Sequence, residues 1–330
     1  MTTTALASLY RQLDGDGWSA FHELVGLVPR TSAPTRAAAR VELVRQLVYA
    51  ETRRIDVLAL GSGARDVAKF EDLTAERAAE LEADLRARGL HVLRFGPYSK
   101  HFDLAMATDT PTRGKELFNV VASRGSIAGA RAMAEAERDR SPAGTRAAGR
   151  ALGYPECCIE HFIKVASSSL AQKWGVNEAA IRSWNDEPIP WQANPLSLHS
   201  PIGFTACSAR CPRALAFAER LLAALPPDES ETARRVLSRP ILFFRYPLFF
   251  VLDGEVTPRG VRYRRAFLND DGTGAAPALH ALAQAEIGSV LAMGDTIELD
   301  AETLVVARGD EEVARWTLAD RRVPRLFRFV

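Results

Sequence analysis

Cysteine is scarce in this sequence, which has only four among 330 residues. Charge of one sign is missing as well, because the net charge is +1, so neither a polyanion-binding chain nor a strongly acidic one is indicated. Long hydrophobic runs are absent: Arg245 and Pro247 interrupt the most apolar stretch, PILFFRYPLFFVLDG, which is too short to span a bilayer. The start, MTTTALASLYRQLDGDGW, lacks the features of a secretory signal. We therefore expect a cytoplasmic protein with no membrane partner.

The four cysteines form two close pairs. Cys157 and Cys158 are adjacent in ALGYPECCIEHFIK, and Cys207 and Cys211 lie in FTACSARCPRAL. A lone cysteine is often a buried core residue, but two pairs with none elsewhere favour a shared site. Since cytosolic thiols are kept reduced, such clusters indicate metal or redox chemistry and not structural disulfides.

The residue patterns predict a mixed α+β fold in three domains. Residues 1–115 are expected to form N-terminal helices and a small α/β layer, 116–235 a helical cysteine module, and 236–330 a β-rich domain. In the α/β layer, IDVLALG, HVLRFG and FDLAMA are predicted as strands, and the first two are expected to pair in parallel around the helix TAERAAELEADLRARG. From PTRGKELFNVVA onward the chain is predicted to form successive helices.

Helical spacing places several potential ligands together. A helix beginning after Pro155 puts Cys157 and His161 on one face, and Cys207 and Cys211 share a face if their helix begins early. Converging pairs would present four thiolates, with His161 and His199 nearby. Thiolates select zinc or iron–sulfur clusters over hard cations.

The adjacent cysteines favour a cluster over a single ion. Neighbouring side chains on a helix diverge, so both would reach one small ion only with strain, whereas the irons of a cluster face different directions. Pro212 directly after Cys211 gives the Cys-Pro ending found in many cluster-binding runs. We expect a 4Fe–4S cluster held by all four cysteines. Zinc is the alternative, since a C-x-x-x-C spacing is acceptable for it.

These features predict a cytosolic iron–sulfur enzyme that acts on a small molecule. Its cluster would serve redox, sulfur-transfer or Lewis-acid chemistry, with an electron-donor or sulfur-donor protein as partner. Two further groups of residues belong to the predicted site. The proposed proton-handling residues are His199, His161 and Glu156. The proposed substrate contacts, which follow a predicted strand end, are Tyr98, Lys100 and His101.

Two other functions remain open from the sequence. One is a structural zinc module in a protein- or RNA-binding protein, with RNA contacted by the basic, aromatic C-terminal segments. Strand alternation explains those segments equally well, so we do not expect a nucleic-acid partner. The other is a metal-free dithiol redox enzyme, in which a cysteine pair forms a transient disulfide.

The segment around LGYPECCIEHF resembles a family of uncharacterised prokaryotic proteins, a domain of unknown function. That family is marked by a Gly-Tyr-Pro-x-Cys-Cys motif and a downstream Cys-Ser-x-x-Cys pair. The likeness spans roughly residues 145 to 220 and implies no particular reaction. The matching residues are Gly153, Tyr154, Pro155, Cys157, Cys158, Cys207, Ser208 and Cys211.

Overall fold

The computed structural model describes residues 54–98, 116–139, 141–168, 189–194, 201–204, 206–245, 248–268, 284–300, 302–317 and 325–330. These residues fall into two compact units. The cysteine unit comprises the described residues of 54–168, 190–194 and 201–237. The β-rich unit comprises Ile189 and the described residues from 238 to 330. In these ranges no helix has the length and apolar character needed to cross a bilayer.

The cysteine unit combines a small sheet with a series of helices. Its elements are α1 (Arg54–Ser62), β1 (Val67–Leu73), α2 (Ala75–Ala87), β2 (His91–Tyr98), β3 (Leu117–Ser123), α3 (Ile127–Arg138), α4 (Pro142–Ala151), α5 (Glu156–Ala166), a 3-10 turn (Trp191–Ala193), α6 (Pro212–Leu222) and α7 (Pro227–Leu237). The sheet has the order β1-β3-β2, and both outer strands run antiparallel to β3.

Apolar residues cover both faces of this sheet. Helix α2 begins at the Thr74 cap, whose side chain accepts a hydrogen bond from the backbone N–H of Arg77, and it buries Leu81 and Leu85 in a core shared with Val120 and Ala122 of β3. The residue between those two on β3, Val121, belongs to a second core with Ala130 and Met133 of α3. This alternation is the period of two that a strand imposes, so β3 is the central strand, with every residue buried except the half-buried Phe118.

Three predictions about the α/β layer are wrong. IDVLALG lies in helix α1 and LFNVVAS is strand β3, not part of a helix. The predicted parallel pair is also incorrect, because the described strands pair only antiparallel, with β3 between β1 and β2. A short apolar run does not distinguish a buried helix from a buried strand, which explains the first two errors. FDLAMA lies outside the described residues.

The β-rich unit consists of a seven-stranded antiparallel sheet with short helical segments. Its strands have the order β10-β4-β5-β6-β7-β8-β9. The elements are β4 (Ile241–Arg245), β5 (Leu248–Val256), β6 (Gly260–Leu268), a π-helical turn (Gln284–Gly288), α8 (Ser289–Met293), β7 (Thr296–Leu299), β8 (Thr303–Arg308), β9 (Glu311–Thr317) and β10 (Arg325–Phe327).

One face of this sheet forms a hydrophobic core. Val261 and Tyr263 of β6 are buried there with Trp316 of β9, whereas Arg262 and Arg264 are exposed, as strand alternation predicts for this segment. The Tyr263 hydroxyl donates to the carbonyl oxygen of Leu291, 2.8 Å away, and joins the sheet to α8. The predicted mixed α+β fold with a β-rich C-terminal region is confirmed. The domain boundaries near residues 115 and 235 stay a prediction.

Candidate metal centre

Local turns place the first cysteine pair at the start of helix α5. Helix α4 ends in a reversal at Gly153, which has a φ of 74°, and the backbone N–H of Tyr154 donates to the carbonyl oxygen of Gly149 at 2.9 Å. Pro155 then caps α5, and its carbonyl oxygen accepts the backbone N–H of Cys158 at 2.8 Å. The helix predicted to begin after Pro155 is thereby confirmed.

The second pair lies in a non-helical segment. Helix α6 begins only at Pro212, so Cys211 is its N-cap residue and Cys207 precedes the helix. The backbone N–H of Cys211 donates to the carbonyl oxygen of Ser208 at 3.2 Å, which closes a turn between the two cysteines. The two therefore do not share a helical face as the spacing had suggested. The turn, not a helix, brings them together.

All four thiols converge on one point. Their sulfur atoms lie within 4.8 Å of one another and form a group that can hold a metal ion. The Sγ atom of Cys157 is 4.0 Å from that of Cys158 and 3.7 Å from that of Cys211, and the Cys158–Cys211 separation is 3.8 Å. The predicted convergence of the two pairs is thus confirmed. The sulfurs of the adjacent Cys157 and Cys158 both belong to this group, and whether they hold one small ion or a cluster stays a prediction.

The four thiols differ in burial. The side chains of Cys158 and Cys211 are 1% and 3% exposed, whereas Cys157 and Cys207 are half-buried. Each segment therefore contributes one buried cysteine, called inner below, and one half-buried cysteine, called outer.

The protein environment also separates the thiols by pKa. Burial raises the pKa of Cys158, although the backbone N–H of Cys207 opposes this, and burial together with a hydrogen bond to Cys211 raises the pKa of Cys207 to about 11. For Cys211, burial would also raise the pKa, but the backbone N–H of Ala214 and hydrogen bonds from the other thiols lower it. A metal ion would have to displace protons from the thiols whose pKa is raised in order to bind.

Three aromatic rings pack together beside the two cysteine segments. Ring centroids of Tyr154 and Phe204 are 4.5 Å apart, and those of Phe204 and Phe217 are 5.3 Å apart. The Tyr154 hydroxyl also donates to the carbonyl oxygen of Gly203 at 3.1 Å. Tyr154 precedes the first cysteine pair, Phe204 precedes the second, and Phe217 lies on α6. Their contacts therefore tie both cysteine-bearing segments to one core.

A buried ion pair supports the same region from helix α1. Arg65 and Asp56 are both buried, and Nη1 of Arg65 donates to the Asp56 carboxylate. The other terminal nitrogen, Nη2, donates to the carbonyl oxygen of Leu152, 3.2 Å away, and the guanidinium lies over the Phe217 ring. This pair fixes the turn that leads into Cys157. The sequence does not predict this ion pair, because the short apolar run IDVLALG has the pattern of a buried strand.

Two of the predicted proton-handling residues, His161 and Glu156, are not members of the group of four sulfurs. His161 follows Cys157 by one helical turn, and its Nε2 atom is buried without a hydrogen-bond partner within the described ranges. Burial, followed by the charge of Lys164, lowers its pKa. Glu156 is exposed and forms an ion pair with Arg150, which lowers the pKa of the glutamate. The functional roles of both residues stay predictions.

The remaining predicted site residues are not described. His199, Lys100 and His101 lie outside the described ranges. Tyr98 is the last residue of β2, where it pairs with Leu117, but its side chain is not described. The proposed substrate contacts therefore stay predictions.

Comparison with known proteins finds a family match across a third of the chain, and no activity. Residues 128–237 match the model of a family described as a protein of unknown function (DUF483). This range contains all four cysteines and helices α4 to α7. A search of curated proteins and a search of solved structures each found no match. The expected likeness to an uncharacterised family is confirmed, and the comparison assigns no chemistry to the cysteine motif.

Proposed function

We propose that the cysteine unit is a structural zinc module, in which Cys157, Cys158, Cys207 and Cys211 bind one Zn²⁺ ion as thiolates. The ion would join the start of helix α5 to the turn before α6. In this proposal, the metal's role is to fix the geometry of a binding surface, not to perform catalysis.

The sulfur–sulfur separations carry this proposal: those among Cys157, Cys158 and Cys211 are 3.7 to 4.0 Å, and all four sulfurs, including that of Cys207, lie within 4.8 Å of one another. Four sulfurs placed tetrahedrally around an ion, each about 2.3 Å from it, are about 3.8 Å from one another. The thiolates of a four-iron cluster bind separate irons and must stand farther apart than ligands of a single ion. The spacing therefore fits one ion better than a cluster.

The donor set supports the same choice. Four thiolates are soft ligands that favour zinc or iron–sulfur clusters, and four protein ligands fill a tetrahedral ion completely. A site without an open position is typical of structural zinc, since catalytic zinc keeps one position for water or substrate.

Metal analysis of the purified full chain tests the proposal. We expect stoichiometric zinc, no iron, no acid-labile sulfide and no colour. Replacing each of the four cysteines with serine in turn should remove most of the zinc. Ser208→Ala is the matched control, because Ser208 is exposed between two of the ligands and offers only its backbone to the Cys211 turn.

The iron–sulfur enzyme predicted from the sequence is the second candidate. The half-buried Cys157 and Cys207 favour it, since an accessible outer side would let a substrate approach a cluster iron. A brown protein that contains iron and sulfide in equal amounts would contradict the zinc module and support this enzyme. A chain that contains neither metal and whose thiols alkylate rapidly at neutral pH would instead be a dithiol protein.

A further inference from the structure

Oxidants can reach only part of the cysteine group. Cys157 and Cys207 are half-buried, while Cys158 and Cys211 are 1% and 3% exposed. Thiolates react with hydroperoxides according to their accessibility as well as their charge. Oxidation of the assembled site therefore begins at an outer sulfur.

The sulfur of Cys157 has an inner partner on the other segment. Its Sγ atom lies 3.7 Å from that of Cys211, which is 54 residues away in the sequence. A disulfide bond is about 2.0 Å long, so a small movement of two side chains is sufficient to form it. The second segment therefore places a potential resolving thiol beside Cys157.

The adjacent thiol is a poorer partner despite its similar distance. The Sγ atoms of Cys157 and Cys158 are 4.0 Å apart, but the Cα atoms of consecutive residues are held at about 3.8 Å. Disulfides usually join Cα atoms about 4.4 to 6.8 Å apart. A bond between the two neighbours would therefore distort the first turn of α5.

We infer that the metal centre is an oxidation-sensitive switch, in which a hydroperoxide links Cys157 to Cys211 as a disulfide and thereby expels the metal ion. This inference rests on the proposed function, since it concerns the regulation of the same site. The modified residues are Cys157 and Cys211, and the effectors are hydroperoxides.

The chemistry requires two displacements. With hydrogen peroxide, the Cys157 thiolate attacks one oxygen: an S–O bond forms, the O–O bond breaks, and hydroxide leaves; an alkyl hydroperoxide releases the alkoxide in its place. The peroxide is reduced and the sulfur becomes a sulfenic acid. The Cys211 thiolate then attacks that sulfur: an S–S bond forms, the S–O bond breaks, and a second hydroxide leaves. Protons from water or buffer convert both hydroxides to water.

Loss of metal follows from loss of ligands. The thiolate is the form of cysteine that binds zinc, and the disulfide leaves only Cys158 and Cys207 as thiolates. Two ligands do not hold the ion in a closed tetrahedral site. A dithiol reductant reverses the reaction by thiol–disulfide exchange and restores the binding site.

The test is peroxide treatment of the full, metal-loaded chain. A chromophoric chelator follows metal release, and alkylation followed by tryptic peptide mapping without reduction locates the disulfide. Trypsin separates the sites well: Cys157 and Cys158 fall in peptide 151–164, Cys207 in 183–210, and Cys211 in 211–213. We expect peptide 151–164 to be linked to 211–213, with one metal ion released for each link and rebinding after reduction.

Two variants identify the residue of peptide 151–164 that is linked. Both variants lack a zinc ligand and are therefore compared as metal-depleted chains: in Cys158→Ser the link should form, and in Cys157→Ser it should be largely lost. Fragmentation between residues 157 and 158 in the wild-type peptide assigns the link in the metal-loaded chain. A link between 183–210 and 211–213, a disulfide within 151–164, or retention of metal after the link has formed would each overturn the inference.

The two proposals fail in distinguishable ways. The metal content before oxidation tests the zinc module, whereas the peptide map and the release after oxidation test the switch. Zinc that is present but released only with sulfinic acids, and without a disulfide, leaves the module intact and overturns the switch.

Discussion

At the scale of single residues, the cysteine site depends on side chains that do not themselves bind metal. Gly149 on α4 faces Ile159 on the cysteine helix so closely that a Cβ atom at position 149 would lie 2.7 Å from Cγ1 of Ile159. Ile159 is buried and directly follows Cys158. The close approach of these two helices therefore helps to set the position of the thiols.

Gly149→Ala should destabilise the protein through this contact. Overpacking costs about 1–3 kcal/mol, partly offset by the better helix propensity of alanine. The control is Gly61→Ala in α1, where no atom lies within 4 Å of the added Cβ. Urea unfolding should show the Gly149 variant to be less stable than the Gly61 variant. Equal free energies of unfolding for the two variants would mean that α4 and α5 can move apart without loss of stability.

Asp56→Asn should be more damaging, because it leaves the buried Arg65 charge unpaired. The two side chains are 2% and 6% exposed, and breaking a buried pair typically costs about 3–5 kcal/mol. Asp66→Asn provides the matched control, because Asp66 is exposed and close in sequence. Thermal or urea unfolding measures both. A loss no greater than that of the control would show that the pair contributes little.

At this scale, the sequence was enough to predict that the four cysteines come together, but not which residues support them. Scarcity and pairing predicted that Cys157, Cys158, Cys207 and Cys211 form one site, and the converging sulfurs agree. The Asp56–Arg65 pair was not predictable, because its carboxylate lies in an apolar run and its partner follows a turn. Which direction adjacent side chains take depends on where the helix begins, and that is fixed by Pro155 and the preceding reversal.

At the scale of elements, helices α4 and α5 are joined by two ion pairs at their surface. Arg146 binds both carboxylate oxygens of Glu160, and Arg150 binds Glu156. Hydrogen bonds from these arginines lower the pKa of each glutamate below its ordinary value of 4.5. Both pairs are exposed, so their contribution is small and sensitive to salt.

The double substitution Glu156→Gln and Glu160→Gln should weaken the protein most near neutral pH. Because the folded pKa values are lowered, the carboxylates stabilise the folded state above their unfolded pKa. That stability is lost as the pH falls through the folded values. Unfolding of wild type and variant should therefore converge in acid, and a difference that grows below pH about 4 would contradict the ion pairs.

The elements were predicted unevenly. The helical character of much of residues 116–235 and the β-rich character of residues 236–330 were predictable, because their longer segments show a clear helical or strand period. The errors at IDVLALG and LFNVVAS both concern short apolar segments buried by tertiary contacts. Helix α1 buries Ile55, Leu60 and the polar Asp56 alike, so its residues show little one-sided pattern.

At the scale of the whole molecule, the cysteine unit has an apolar core beside the four thiols. Phe217, Leu221 and Leu222 of α6 are buried with Ile55 of α1 and Leu237 of α7. Tyr154 and Phe204 pack against this cluster beside the two cysteine segments. Burial of these apolar residues stabilises the scaffold of the site, so we expect the scaffold to persist without an ion.

Removal of the metal by a chelator should leave the fold in place. We expect the helical circular dichroism signal to persist, with a lower melting temperature, because the ion no longer links its two segments. Small zinc-finger peptides behave differently and unfold without metal. Cooperative loss of the helical signal on chelation would show that the apolar core is not sufficient on its own.

X-ray absorption at the zinc edge of the purified full chain measures directly whether one zinc ion is bound by the four cysteines. We expect four sulfur neighbours at about 2.3 Å and no second metal nearby. That result would place all four cysteines on one ion. Nitrogen or oxygen in the first shell would contradict the four-cysteine site, and an iron edge with neighbouring iron scatterers in place of zinc would contradict the single ion.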